Sequence, residues 1–329
     1  MGTGEPTGPK VYTPYPSPTR FQWVSGGLGA SFFPLVYIVA PGSLLVAALA
    51  LCLAPFHWFT ATVWALIFAS VALPPIPSVG LLQSWPFKYM PAYFQYSEIS
   101  EVEDDKVKEL MASRRVMFVA QPHGVFTFGG ACAGVSWGSR FWKPEQCPTA
   151  VADIIMKFPF IKQAVGIFGS CDASSRTLLK TLKQKSCVLY AGGIAELFLT
   201  DDLEEKLYVN KRKGFIKVAL QSGVAIVPLY IFGNTTTLKV AKGQALVKFA
   251  RKAGISLTWF WGVWYTFVPF PKKCLVAVGK PMELPQVDNP EQAMIDQYHE
   301  QYISEVKRLF DTYKKYNSDY ANKELKFAE

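Results

Sequence analysis

No Lys, Arg, Asp or Glu occurs between Phe21 and Phe87. Charged residues make up roughly a quarter of an ordinary soluble chain, so this block is not part of a water-exposed domain. Histidine is nearly as scarce, with His57, His123 and His299 the only three in 329 residues. That leaves few groups suited to proton transfer near neutral pH. The six cysteines (Cys52, Cys132, Cys147, Cys171, Cys187 and Cys274) form no C-x-x-C pair and no zinc spacing. They read as small buried hydrophobes, kept reduced in a cytosolic domain. Acids are the minority charge, 25 against 34 bases, for a net charge of +9. Such a balance suits nucleic acid, anionic lipid or a phosphorylated cofactor, and the charge-free block makes nucleic acid the poorest fit.

Within residues 21–87 lie two apolar stretches, Phe32 to Ala54 and Trp58 to Leu73. Each approaches the roughly 17–25 residues that cross a bilayer as a helix. Pro41-Gly42 should interrupt the first, Pro55-Phe56-His57 separates the two, and Pro74-Pro75-Ile76-Pro77 closes the second. Two spans or a re-entrant hairpin would both return the chain to its starting side. Lys10 and Arg20 precede the block, Lys88 follows it, and the connecting turn is uncharged. The positive-inside rule then places both ends in the cytosol. A cleaved signal peptide fits poorly, because the apolar run starts late and continues too long.

Residues 1–20, rich in Pro, Gly, Thr and Ser, are expected to be disordered. Residues 88–329 form the remaining domain, entered through a short surface helix over Ser97 to Leu110. Apolar runs at Val116–Ala120, Ile167–Gly169, Cys187–Tyr190, Ala225–Phe232 and Leu275–Val278 read as strands. Ser174–Lys183 and Gly214–Ser222 read as helices between them. This alternation predicts an α/β domain, a largely buried sheet flanked by helices. Ile295, Tyr298, Tyr302, Val306, Leu309 and Phe310 mark a packed C-terminal helix, started by Asp288 or Asn289. No internal repeat is present. A second uncharged stretch, Ile255 to Phe270, is dense in aromatics and is bracketed by Arg251-Lys252 and Lys272-Lys273. It reads either as core or as a face at lipid-headgroup depth.

His123 follows the Val116–Ala120 run within Gln121-Pro122-His123-Gly124. Pro122 ends the strand and Gly124 lets the backbone turn, so the imidazole is held at a strand end. A histidine held there can act as an acid or base, or can be merely structural. Cys187–Tyr190 leads into Ala191-Gly192-Gly193-Ile194-Ala195-Glu196. Gly192 and Gly193 permit close backbone approach by a ligand, and Glu196 is the carboxylate nearby. A glycine turn with Glu196 in a first helical turn is the structural alternative. Lys211-Arg212-Lys213 stands before the Gly214–Ser222 helix, where bases suit an anionic phosphate or form a solvated cluster. Gly134-Val135-Ser136-Trp137-Gly138 matches a nucleophile-elbow pattern, but it lacks a good preceding strand and has only His299 as a later partner. His57 fits an interfacial or packing role.

Taken together, Gln121-Pro122-His123-Gly124, the Gly192 to Glu196 run, Arg212-Lys213-Gly214-Phe215 with Val227-Pro228, and Val278-Gly279-Lys280-Pro281 resemble one family. It is the type-2 acyl-CoA:diacylglycerol acyltransferase family, which includes monoacylglycerol and wax-alcohol acyltransferases. The resemblance runs from about Trp85 to Phe310 in motif order, and the paired apolar segments match as well. More distantly, the layout is similar to the glycerol-phosphate acyltransferases. The family commonly shows His-Pro-His-Gly, and Gln121 replaces the first histidine. The distant relatives carry an Asp where Phe128 stands, so a carboxylate orienting His123 must come from elsewhere, with Glu196 the candidate.

The resemblance implies a glycerolipid-acyltransferase-like domain behind a membrane hairpin or two transmembrane helices. It implies transfer of a fatty acyl group from acyl-CoA to diacylglycerol, giving triacylglycerol. Catalysis would rest on His123 and Glu196, with Gln121, Pro122, Gly124, Gly192, Gly193, Arg212 and Lys213 binding substrate. Backbone N–H groups near Gly124 or Gly192-Gly193 would hold the oxyanion. CoA thiolate leaves readily, so the reaction requires no metal, no cofactor beyond acyl-CoA as co-substrate, and no covalent intermediate. The implied partners are acyl-CoA, diacylglycerol and membrane lipid, with a homo-oligomer possible and nucleic acid excluded. The implied location is the endoplasmic reticulum membrane with the domain facing the cytosol, or the lipid droplet. A monoacylglycerol or long-chain alcohol acceptor, or a non-catalytic lipid-binding or scaffold role, are the alternatives.

Overall fold

The computed structural model describes residues 10–199, 204–241 and 259–328. Among these, the strands are β1 (Val11–Tyr12), β2 (Ser97–Ser100), β3 (Val116–Gln121), β4 (Thr149–Val151), β5 (Ser170–Asp172), β6 (Cys187–Tyr190), β7 (Glu205–Leu207), β8 (Ala225–Phe232), β9 (Lys239–Val240), β10 (Phe260–Trp261), β11 (Leu275–Val278) and β12 (Leu325–Phe327). Eight of them make one sheet in the order β1-β2-β11-β8-β3-β6-β4-β5. Strands β8, β3, β6, β4 and β5 run parallel, and β11 runs antiparallel to β8. The pairs β7–β12 and β9–β10 stand apart from this sheet.

Strand β3 lies inside the sheet and every one of its residues is buried. Successive side chains on a strand point to opposite faces. Val116, Phe118 and Ala120 accordingly enter one apolar core with Phe128, Cys132 and Val135 of the Phe128–Arg140 helix. Met117 and Val119 enter the other, against the helices Ser175–Leu182, Gly214–Ser222 and Gln292–Tyr313. Burial on both faces explains the unbroken apolar runs of the sequence. The α/β architecture expected from those runs is the one observed.

Helix α1 (Arg20–Leu53) is long and apolar enough to cross a membrane. Its most apolar window has mean hydropathy 2.3 and only 11% of it is buried, so α1 is not a core helix. Its N-terminal half docks on the domain through Ser25, Ala30 and Phe33, while Leu45, Leu49 and Leu53 stay exposed. Helix α2 (Trp58–Ala72) folds back, with the Thr60 hydroxyl donating to the Ala54 carbonyl at 2.7 Å. His57 caps it, its Nδ1 accepting the Phe59 N–H at 3.2 Å. The far end of α2 returns to the domain, where the Gln163 amide donates to the Ser70 carbonyl at 2.9 Å. At 1.5 Å per residue α2 is only about 22 Å long, short of the ~30 Å hydrocarbon core. The two helices fold back on each other, and among the described residues α1 is the one long and apolar enough to cross a membrane.

Several local expectations need correction. Pro34 and Pro41 lie inside a continuous α1, because a proline withdraws one N–H from the helical ladder and the bonds around it persist. Disorder over residues 1–20 does not hold where Val11 and Tyr12 pair with Ile99 and Glu98; residues 1–9 lie outside the described set. Ser97–Ser100 is a strand added to β11, and the helix begins only at Asp104. Gly169 turns the chain at φ +68°, so the strand expected at Ile167–Gly169 falls at Ser170–Asp172. The C-terminal helix runs Gln292–Tyr313 and starts after Glu291. Gly134–Gly138 lies within a helix rather than on a strand-to-helix turn, which removes the nucleophile elbow. In the aromatic stretch, residues 255–258 are outside the described set, as are Arg251 and Lys252. Beyond them Trp259, Trp264 and Tyr265 project with 68%, 90% and 82% exposure, so these three rings are not core.

Candidate active site

Strand β3 delivers Gln121 to the carboxyl edge of the sheet, where open α/β sheets place their ligands. Beyond it the chain turns at Gly124, which has φ +66°. A side chain at Gly124 would put its Cβ 2.9 Å from the Asn234 carbonyl oxygen. Asn234, just past β8, is fully buried. Its Nδ2 donates to the carbonyls of Pro122 (3.1 Å) and His123 (2.6 Å), and its Oδ1 accepts the Gly129 N–H at 3.1 Å. One side chain thus ties the His123 turn to the first turn of the next helix.

The imidazole of His123 has its Nδ1 2.8 Å from the Gly124 carbonyl oxygen. A carbonyl can only accept, so Nδ1 carries the hydrogen and Nε2 keeps its lone pair. The edge-on ring of Tyr190 lies 5.2 Å away between centroids. Burial lowers the pKa of His123 below its ordinary value, against a smaller raising effect of the Gly124 carbonyl. Near neutral pH the ring is an uncharged base.

Glu196 is buried beneath this turn, with 1% exposure. Its Oε2 accepts the main-chain N–H of His123 at 2.8 Å and its Oε1 that of Tyr208 at 3.1 Å. With its amide oriented to donate, Gln121 places Nε2 2.7 Å from Oε1 and 3.1 Å from Oε2. Burial raises the Glu196 pKa to about 7, opposed by the two N–H bonds. Glu196 was expected to orient the imidazole; it grips the backbone of His123 instead, because the carboxylate comes up beneath the turn. Gly192 also has a different part from the one expected. A Cβ there would fall 1.9 Å from the Glu196 carboxyl carbon, so the missing side chain makes room for that carboxylate. Gly193, at φ +59°, has open space where its Cβ would be and lines the cavity described next.

That cavity, of about 320 Å³, runs from His123 under α1. Phe33 and Tyr37 of α1, Phe126, Trp142, Phe168 and Phe260 are among its walls. Tyr37 meets Phe126 edge-on at 4.6 Å between centroids, so the apolar helix itself closes one side. The walls suit an alkyl chain, and the one imidazole among them suits a reacting hydroxyl.

Arg212 is exposed, stands 5.4 Å from the Tyr208 ring centroid, and acts on Glu196 through its charge. Lys213 is paired with Asp296 at 2.8 Å, so part of its expected capacity for phosphate is taken. His299 is buried, with Nε2 3.0 Å from the Val209 carbonyl, and takes no part in the site. Asn234 and Tyr190 are site residues that the sequence did not reveal. In the sequence Asn234 opens the glycosylation sequon Asn234-Thr235-Thr236, a signal that gives no hint of a buried clamp.

A sequence profile described as diacylglycerol acyltransferase matches residues 62–327. The chain belongs to this family. The acyltransferase is 27% identical to human diacylglycerol O-acyltransferase 2-like protein 6 over 86% of its own length and 92% of that protein's. It is 29% identical to human acyl-CoA wax alcohol acyltransferase 1, covering 64% and 69% of the two chains. It is also 29% identical to diacylglycerol O-acyltransferase 2 of Danio rerio, covering 69% and 67%. Among solved structures, a 1-acyl-sn-glycerophosphate acyltransferase from Thermotoga maritima aligns over 80% of this chain and 95% of its own, with 12% identity and a TM-score of 0.35. As a member of the family, the acyltransferase uses acyl-CoA and a lipid acceptor, a glycerolipid or an alcohol.

Proposed function

We propose that this acyltransferase moves a fatty acyl group from acyl-CoA to the free hydroxyl of diacylglycerol, forming triacylglycerol, with His123 as general base. The observation that carries the reading is the tautomer imposed on His123. The Gly124 carbonyl holds the Nδ1 hydrogen, so the Nε2 lone pair is the basic position of a ring that lines an alkyl-sized cavity. Nε2 takes the acceptor's hydroxyl proton as its oxygen attacks the thioester carbonyl carbon. The tetrahedral oxyanion is held by backbone N–H groups around Gly124 and Gly193. Its collapse breaks the C–S bond, and the departing thiolate recovers the proton from the imidazolium. General-base assistance contributes about 10²- to 10⁴-fold, and holding both substrates in line contributes roughly 7–11 kcal/mol.

The α1–α2 hairpin seats the enzyme in the membrane of the endoplasmic reticulum, or on a lipid droplet, with the catalytic domain on the cytosolic side. This agrees with a long helix whose most apolar window is 11% buried, forming one wall of the cavity. A long-chain alcohol is the second acceptor reading, supported by the similarity to a wax alcohol acyltransferase. Membranes from cells expressing the protein, given labelled acyl-CoA and diacylglycerol, monoacylglycerol or hexadecanol in turn, should make triacylglycerol fastest. Wax ester as the dominant product would reassign the acceptor, and no ester from any acceptor would sink the catalytic reading.

A further inference from the structure

A second recess opens on the same edge of the sheet, outside the apolar cavity. Its lining is Thr236, Lys239, Phe270, Lys272, Asp319 and Lys323. Three of the six are lysines, and the lone acid, Asp319, is tied to Lys272 at 3.0 Å. Lys323 is the informative member. It is 7% exposed, and among the described residues its Nζ has no hydrogen-bond partner. Its neighbour is the face of Tyr320, with the ring centroid 4.5 Å away. An ammonium removed from water keeps its charge only against a compensating group. Buried Glu205 feels the Lys323 charge, but its carboxyl oxygens are within hydrogen-bonding distance of the Thr235 hydroxyl, and burial raises its pKa to about 7. Near neutral pH it is therefore only part of a counter-charge. Among the described residues Lys323 therefore lacks a full counter-charge.

We propose that this recess binds a phosphate group, and that the phosphate is one of those carried by acyl-CoA. Lysines bind phosphate as point charges, and a phosphate here would complete the environment of Lys323. The position fits as well. Strands β8 and β3 are parallel neighbours, so their carboxyl ends leave the sheet on one side. Thr236 lies two residues beyond Asn234, whose amide holds the His123 carbonyl at 2.6 Å. In acyl-CoA the phosphates sit at the far end of the pantetheine arm from the thioester. The recess shares no lining residue with the alkyl cavity, as a phosphate at the far end of that arm requires. The phosphate chemistry stands by itself; the assignment to CoA rests on the acyltransferase reading.

The test compares wild type with Lys239→Ala/Lys272→Ala and with Lys323→Met, each in membranes and each checked for unchanged thermal stability. If Lys323→Met fails that check, the double variant decides alone. Calorimetric titration of detergent-solubilised protein with CoA should show at least a fivefold loss of affinity in the double variant, at unchanged kcat and raised KM for acyl-CoA. A 3′-dephospho-CoA thioester should behave towards wild type as acyl-CoA does towards the variant if the 3′-phosphate is the one held. Loss of binding to phosphatidylserine vesicles, with CoA affinity unchanged, would keep the phosphate site but give it to a lipid headgroup. Unchanged binding of both CoA and vesicles would overturn the proposal. A wild type that binds CoA but forms no ester would remove the acyltransferase reading alone, since the titrations need no turnover.

Discussion

The Glu196 carboxylate sits 2.8 Å from the main-chain nitrogen of His123, while the imidazole of that same residue is oriented by the neighbouring Gly124 carbonyl. The imidazole and the buried carboxylate are therefore coupled through the backbone. Glu196 fixes where the turn lies, and Gly124 fixes which nitrogen is basic.

His123→Ala should lower kcat by about 10²- to 10⁴-fold, the range for loss of a general base, with membrane association unchanged. Because burial holds His123 below its ordinary pKa, its ionisation should appear in the rate–pH profile below 6.5, as an inflection separate from that of Glu196. His299→Ala should reduce thermal stability while leaving activity per folded molecule near wild type. Loss of specific activity in the His299 variant would contradict the separation of that residue from the site.

Gln121 stands where the family commonly has histidine, and here its amide meets Glu196. Gln121→His keeps a donor in that position and should retain activity within a few-fold. Gln121→Leu leaves the buried carboxylate short of a donor, at a cost of about 1–3 kcal/mol, and should lower turnover more than tenfold. Glu196→Gln brings amide hydrogens against N–H donors and should cost a similar amount of turnover. Wild-type activity should also rise through pH 7 as Glu196 ionises, and Glu196→Gln should lose that inflection. An unchanged rate–pH profile in the variant would reject a functional ionisation.

Asn234→Ala leaves the Pro122 and His123 carbonyls and the Gly129 N–H without their partner. Each buried group stranded this way costs about 1–3 kcal/mol. The variant should lose kcat more than acyl-CoA affinity, since it loosens the base and not the cavity. Full burial also means that Asn234 should carry no glycan whichever side of the membrane the domain faces. Topology is better read from a sequon appended after Glu329, which should stay unmodified, and from protease digestion of the domain in sealed microsomes. A glycosylated tail on a protected domain would overturn the cytosolic placement.

Glu205 offers a test of stability. Burial raises its carboxyl pKa to about 7, well above that of an unfolded glutamate. The fold therefore favours its protonated form. That stabilisation is complete below about pH 4.5 and is lost as pH rises through 7. The wild-type melting temperature should fall between pH 5 and 8, and Glu205→Gln should flatten the decline. A slope unchanged by the substitution would show that Glu205 is not a source of the decline.

The sequence by itself determined the pieces whose physics is local. Runs of apolar residues gave β3, β6, β8 and β11 almost to the residue, because strands buried on both faces have no polar positions to confuse the pattern. The charge-free block marked the two apolar helices without deciding between two spans and a hairpin, and Pro122 with Gly124 marked the turn that carries His123. Only the tertiary structure decided what surrounds that histidine. Asn234 is 111 residues from His123 and Glu196 is 73 residues from it. Their contacts exist because β3 lies beside both β8 and β6 in the sheet, an order of strands that no local pattern encodes. The same order explains why a sequon asparagine is a clamp on the His123 turn.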